Sequence, residues 1–234
     1  SSDVCSSDLT VYLQSGSAGV VTGYSEKEKF DASEKGVSLG RWQKSTGAHN
    51  FAPLSEPTPG QANAKPLVGP VVISEIMYHP ADAADAEYVE LVNVSESPVV
   101  LYDADKGPWR FADDPDDPGI ELLFPSDPPV TLAPGERLVL AADGNRLRTE
   151  YAIPAAVRVL SWDAGKLADD TQRLQLSKPG GEDDDGTRFW IRVDRVVYSD
   201  GVHPQDFAGG ADPWPVDADG KGKSLRRVDL RAYG

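Results

Sequence analysis

Hydrophobic and polar residues alternate in short bursts along this chain, and Gly, Pro and Asp separate the bursts. The clearest bursts lie between residues 70 and 101. In the first, Val72, Ser74, Ile76 and Tyr78 fall on one face and Val71, Ile73, Glu75 and Met77 on the other. In the second, Tyr88, Glu90 and Val92 oppose Val89, Leu91 and Asn93, and Val99-Val100-Leu101 follows. Period-two alternation of β-branched and aromatic residues is the mark of half-buried strands. The same pattern predicts strands at 109–111, 120–124, 137–141, 157–160, 173–177 and from 188 through 198. Helical periodicity is confined to residues 144–151, enough for one or two turns. Many short strands between turn formers predict an all-β fold of sandwich type.

Several of these bursts fall in the order of a known family. Ile73-Ser74-Glu75-Ile76-Met77-Tyr78-His79-Pro80, a loop, and Glu87-Tyr88-Val89-Glu90-Leu91-Val92-Asn93 resemble the opening of a lamin-tail domain in its bacterial secreted form. Leu132-Ala133-Pro134-Gly135-Glu136-Arg137-Leu138-Val139-Leu140-Ala141 is similar to a later strand of that family, and Val193-Asp194-Arg195-Val196-Val197-Tyr198-Ser199-Asp200 to another. Trp214-Pro215, Ala218-Asp219-Gly220-Lys221-Gly222 and Ser224-Leu225 resemble its closing segment. The resemblance spans residues 66 to 229. It implies an immunoglobulin-like β-sandwich of lamin-tail type and a role as a module beside other domains.

The N-terminal fifth of the chain repeats part of this pattern. Strands are predicted at 10–14 and 20–25, a charged connection at 26–34, and a further segment at 36–42. Tyr24-Ser25-Glu26 parallels Tyr198-Ser199-Asp200, and Gly-x-Ser-Leu-x-Arg occurs at Gly36 and again at Gly222. Recurrence in the same order implies an internal repeat, so residues 10–50 read as the C-terminal part of an upstream lamin-tail copy. Residues 51–69 carry Pro53, Pro57, Pro59, Pro66 and Gly60; proline fixes φ and removes a donor, so a linker is expected here, extended and outside any ladder. The complete domain then occupies residues 70–234. Residues 1–9 resemble a translated sequencing adapter, so they, with Cys5, are set aside from fold reasoning; the chain reads as a fragment of a longer protein.

Charge narrows the partners. Asp and Glu number 38 against 23 Lys and Arg, a formal charge of -15. Such a surface repels phosphate backbones, and the one basic stretch, Lys221, Lys223 and Arg226-Arg227, is thin. Nucleic acid is therefore not an expected partner. A single cysteine excludes an internal disulfide, and no apolar run approaches the length of a helical membrane span.

Catalysis finds little footing. The three histidines are His49, His79 and His203, the last two each preceding a proline, and no serine sits in a nucleophile elbow. Glu75, Glu87 and Glu90 belong to the signature strands and read as structural acceptors or edge charges. Most other acidic residues lie in turns, such as Asp103-Ala104-Asp105, Asp113-Asp114 and Asp183-Asp184-Asp185, where Asp is a good turn former. Asp217-Ala218-Asp219-Gly220 has the D-x-D-G opening of a calcium loop without its later ligands, which makes Asp217 and Asp219 the calcium candidates; otherwise no cofactor is expected. Trp109, Trp162, Trp190 and Trp214 offer a sugar platform as a minor alternative to core packing, with Trp214, between two prolines, expected to be the most exposed.

The reading that follows is a non-catalytic structural or interaction module of a large secreted or cell-surface bacterial protein. Its partners would be an unidentified protein or surface polysaccharide and other domains of the same chain. The alternatives are an accessory, targeting module of a secreted enzyme whose catalytic domain lies elsewhere, and a calcium-dependent adhesion module.

Overall fold

The computed structural model describes residues 9–44, 47–81, 86–114, 117–207 and 209–233; residues 1–8, including Cys5, lie outside them. In chain order the strands are β1 (Leu9–Ser17), β2 (Val20–Phe30), β3 (Leu39–Gln43), β4 (His49–Pro53), β5 (Val71–Met77), β6 (Tyr88–Asn93), β7 (Val99–Val100), β8 (Tyr102–Asp103) and β9 (Gly107–Pro108). There follow β10 (Arg110–Ala112), β11 (Glu121–Leu123), β12 (Thr131–Leu132), β13 (Arg137–Ala141), the helix α1 (Gly144–Glu150), β14 (Arg158–Ser161), β15 (Thr171–Glu182), β16 (Arg188–Ser199) and β17 (Leu225–Arg226). No helix among the described residues is long and apolar enough to cross a membrane.

Two sheets make an all-β, immunoglobulin-like sandwich. The larger has the order β14-β13-β6-β5-β17, the smaller β11-β10-β15-β16. All pairings are antiparallel except β13 with β14. A parallel pair needs a crossover, and α1 supplies it, capped by Asp143, whose carboxylate accepts the Asn145 and Arg146 N–H groups. Val89 and Leu91 of β6 and Leu138 and Leu140 of β13 face Phe111, Leu174, Leu176 and Tyr198 of the smaller sheet, all of them in one buried core. The opposite face of β13 is buried too: Val139 and Ala141 pack with Leu147 of α1, beside Tyr88. The alternation expected for β6 therefore holds for the core-facing Val89 and Leu91, while Tyr88 on the other face packs beside α1.

In β5 the alternation breaks. Ile73 pairs with Leu91, but Glu75 pairs with Glu90, so Ser74 is an extra residue in the strand. A bulge of this kind sets two residues against one and reverses the phase beyond it. Val71 and Ile73 face the core before it; Ile76 and Tyr78 do so after it. The strict two-face reading of this strand is thus corrected. The bulge is held from three sides. The Ser74 hydroxyl donates to Glu90 Oε1 at 2.7 Å, the Ser74 carbonyl accepts the Arg227 N–H, and the Ile73 N–H is given to Asp194 Oδ2 at 2.8 Å.

Asp194 lies on β16, an edge strand of the smaller sheet, opposite Leu176 and on the inward face. Its Oδ2 also accepts from Arg227 Nη2 at 2.7 Å, and both side chains are almost dry, at 7% and 10% exposure. The basic stretch at 221–227 is therefore largely spoken for, since Lys221 and Lys223 both pair with Asp217.

The N-terminal region departs further from expectation. β2 runs to Phe30, through the first half of the expected charged connection, because the long β1 provides a partner for each of residues 26–30. The expected ladder-free linker is also corrected. β4 carries the β3–β4 ladder to Pro53, and Leu54 bridges Pro66. Pro53 sits where only an acceptor is called for: its carbonyl takes the Leu67 N–H. Between them Pro59 and Gly60, the latter at φ 74°, turn the chain with a Gln61 N–H to Thr58 carbonyl bond. This hairpin region touches the sandwich through Asp31–Arg195, Glu34–Lys178 and Arg192 to the Phe51 carbonyl.

The β1–β2 hairpin joins no other strand among the described residues, and its outside contacts include Glu26 and Glu28 with Arg41 and Phe30 against Phe51. Leu13, Val20 and Tyr24 are more than half exposed, whereas Tyr198, the counterpart of Tyr24 in the repeated motif, is fully buried. Few apolar contacts and wet backbone bonds define a segment that opens easily. Amides of residues 9–30 should exchange with solvent roughly a thousandfold or more faster than those of β5 and β6. Hydrogen exchange read by mass spectrometry checks this; equal protection would contradict it.

Candidate functional site

The strands that carry the signature motif end at one pole of the sandwich, and the loops that leave them converge there. Tyr78, one residue beyond β5, stacks on Tyr198 near the end of β16, with ring centroids 4.8 Å apart and planes at 27°. Both rings are fully buried. Tyr198 donates its hydroxyl proton to the Ala168 carbonyl at 2.6 Å, with Gln172 Oε1 at 3.0 Å. The Tyr78 hydroxyl has no hydrogen-bond partner.

Carboxylates ring this pair. Burial pushes the Tyr78 phenol up to about 12, and the charges of Asp219, Asp200, Asp169 and Asp212 add to it. The Tyr198 phenol is raised further, again by burial first and then by Glu87, Tyr78, Asp169 and Asp170. Glu87 is itself buried, and its Oε2 accepts the Leu167 N–H at 2.8 Å, pinning the loop before β15.

The loop after β16 is tied by two aspartates and a histidine. Asp200 Oδ1 accepts the Val202 N–H at 3.0 Å and lies 2.9 Å from His203 Nδ1. Asp212 Oδ2 takes the Ser199 hydroxyl at 2.5 Å and the His203 N–H at 3.1 Å, while Oδ1 takes the Trp214 N–H at 3.0 Å. Gly201 is required here: its φ is +92°, and a Cβ would lie 2.6 Å from the Trp214 carbonyl. The result is one donor atom from each of Asp200, His203 and Asp212, all within 4.8 Å of one another.

The calcium candidates are positioned differently. Asp219 Oδ1 meets His79 Nδ1 at 2.7 Å, and the Gly220 N–H bonds the His79 carbonyl, so this loop is clipped to the end of β5. Asp217 points to Lys223 at 2.7 Å, whose hydrogen bond and charge hold its carboxyl below the ordinary range. The D-x-D-G segment thus spends its two carboxylates on two different cationic or imidazole partners and does not converge them on one point. Asp103 and Asp183 accept N–H groups two to four residues ahead, as turn formers.

The tryptophans are also divided. Trp109 and Trp162 are in the core, Trp190 carries the Arg110 guanidinium 5.2 Å from its ring centroid, and Trp214 is half-buried against the core. Trp214 is less exposed than its flanking prolines suggest because Asp212 and Gly201 draw its backbone inward.

Asp212 does not stand out in the sequence. Asp200 belongs to the repeated motif and His203 is a loop histidine, with nothing local to connect them. The signal present is the run of turn formers Asp200-Gly201-Val202-His203-Pro204 and Asp212-Pro213-Trp214-Pro215, which predicts two tight loops but not their meeting. Comparison of the chain with protein-family models and with curated proteins finds no match.

Burial alone would raise the Asp212 carboxyl, but the bonds from Ser199, Trp214 and His203 outweigh it and hold the group below its ordinary 3.8. A depressed folded-state value contributes stability that is complete above the unfolded-state value and is lost as pH falls through the folded one. Urea midpoints measured from pH 5 down to 2.5 should therefore fall more steeply for the native chain than for Asp212→Asn. Parallel curves would mean that these three bonds do not favour the charged form.

Proposed function

We propose that this chain is a lamin-tail-type module of a secreted or cell-surface bacterial protein, and that its role is structural or interaction-bearing, not catalytic. One observation carries the reading: the polar residues of the signature strands are occupied in holding strands and loops together. Glu75 Oε1 accepts the Tyr88 and Ser224 hydroxyls, each at 2.6 Å, which joins β5 to β6 and to the approach of β17. Glu90 accepts from Ser74 and pairs with Arg137 of β13. Glu87 pins the loop at Leu167, and Asn93 donates to the Ser97 and Leu132 carbonyls at 2.8 and 2.9 Å. The carboxylates that a hydrolase would aim into a cleft are here acceptors at strand junctions.

A tandem origin for residues 10–50 is supported by the two Tyr-Ser-acid motifs, each with its Tyr-Ser on the second strand of a hairpin, and by the strands that open at Leu39 and Leu225, β3 and β17. Among the described residues only the second copy adds a strand to a sandwich sheet: Leu225 of β17 pairs with Ile76, whereas β3 pairs with β4.

Residues kept for catalysis are usually a burden on stability, and replacing them tends to stabilise. Structural acceptors behave in the opposite way. Glu75→Gln, Glu87→Gln and Glu90→Gln should each destabilise by about 1–2 kcal/mol and lower the melting temperature by roughly 2–6 °C. Thermal melts followed by circular dichroism decide the matter. A rise in melting temperature in two of the three variants would point to a site under functional strain and would sink the scaffold reading.

A further inference from the structure

Two features of the acidic pole stand out. The first is the convergence of Asp200, His203 and Asp212, donated by the loop after β16 and by the segment before Trp214. The second is the hydroxyl of Tyr78, fully buried and without a hydrogen-bond partner. A buried polar group left unsatisfied is rare, and where one occurs an ordered water or an ion often completes it. The Tyr78 ring lies flat against Tyr198, two residues before Asp200.

We propose that Asp200, His203 and Asp212 bind one divalent first-row transition-metal ion, zinc foremost, with the Tyr78 hydroxyl serving the water on its open position. The donor set selects the metal. Imidazole with two carboxylates suits zinc and its neighbours, and three protein ligands leave one position for water. Calcium takes six to eight oxygens and has no use for a histidine nitrogen. Ligand atoms around a tetrahedral zinc stand about 3.3 Å apart at ordinary bond lengths, against the 4.8 Å limit found here. Closing that gap takes about 1.5 Å or less, within loops that already hold Asp200 and His203 at 2.9 Å. By contrast Asp217 and Asp219 face lysine and His79, so an ion there would have to displace a cation or a histidine without gaining a third ligand.

The test is calorimetric titration of the untagged chain with zinc, manganese and calcium chlorides. The expected result is one zinc per chain, bound more tightly than calcium. Asp212→Asn and His203→Gln should each weaken zinc at least roughly 100-fold, and Tyr78→Phe roughly 10-fold, as the loss of an outer partner does. His79→Gln should leave zinc affinity unchanged. Cobalt(II) added to the unsubstituted chain keeps the test independent of whether the variants fold. Visible bands of a four- or five-coordinate nitrogen–oxygen site, displaced by zinc, are expected. No zinc uptake, affinity indifferent to both ligand substitutions, calcium bound more tightly than zinc, or a cobalt spectrum unchanged from the aqueous ion would each overturn the proposal.

Discussion

The Asp194 carboxylate is the point at which the two sheets and the closing strand meet. It projects inward from the edge strand β16, and one of its oxygens receives both the Ile73 N–H of β5 and the guanidinium of Arg227. A charge this dry is tolerable only when paired and hydrogen-bonded; stripped of its partner it costs about 3–5 kcal/mol. The pairing also explains the bulge. Ile73 gives its N–H across the core while Ser74 is squeezed out of register, and the strand leaves the bulge with Ile76 and Tyr78 turned inward. The stack of Tyr78 on Tyr198, and with it the acidic pole, follows from that reversal. An inward-pointing charge on an edge strand has a second effect: it discourages that edge from pairing with another chain.

Much of the fold is legible in the sequence because it is written in local patterns. Alternation marks β6 and β13, turn residues mark the hairpins, and the helical turns expected at 144–151 are found as a helix over 144–150, which Asp143 caps. The departures have non-local causes. Nothing near Ser74 shows that Asp194, 120 residues later by number, will claim the neighbouring N–H. Pro53 and Pro66 read as linker residues because proline lacks a donor, yet each occupies a place where no donor is needed. The candidate site is legible only in pieces. Tyr198-Ser199-Asp200 and His203 stand out in the sequence, but Asp212 joins them through the folding of two proline-bounded loops, which no spacing rule encodes.

The acidic residues of the chain sort into distinct uses once their partners are seen. Asp103 and Asp183 close turns, Glu75, Glu87 and Glu90 join strands, and Asp194 joins sheets. Asp200 and Asp212 are the pair gathered with a histidine. A strongly negative composition is therefore partly a record of internal acceptors and not of surface charge alone.

A double-mutant cycle on Asp194 and Arg227 tests the joint most directly. Urea denaturation of Asp194→Asn, Arg227→Met and the double variant gives their coupling. If the carboxylate is the clamp between the sheets, the coupling is roughly 2 kcal/mol, and the double variant is little worse than the more damaging single one. Additive losses, with a coupling near zero, would mean that the two sheets are held by core packing alone and that the joint described here does not carry the fold.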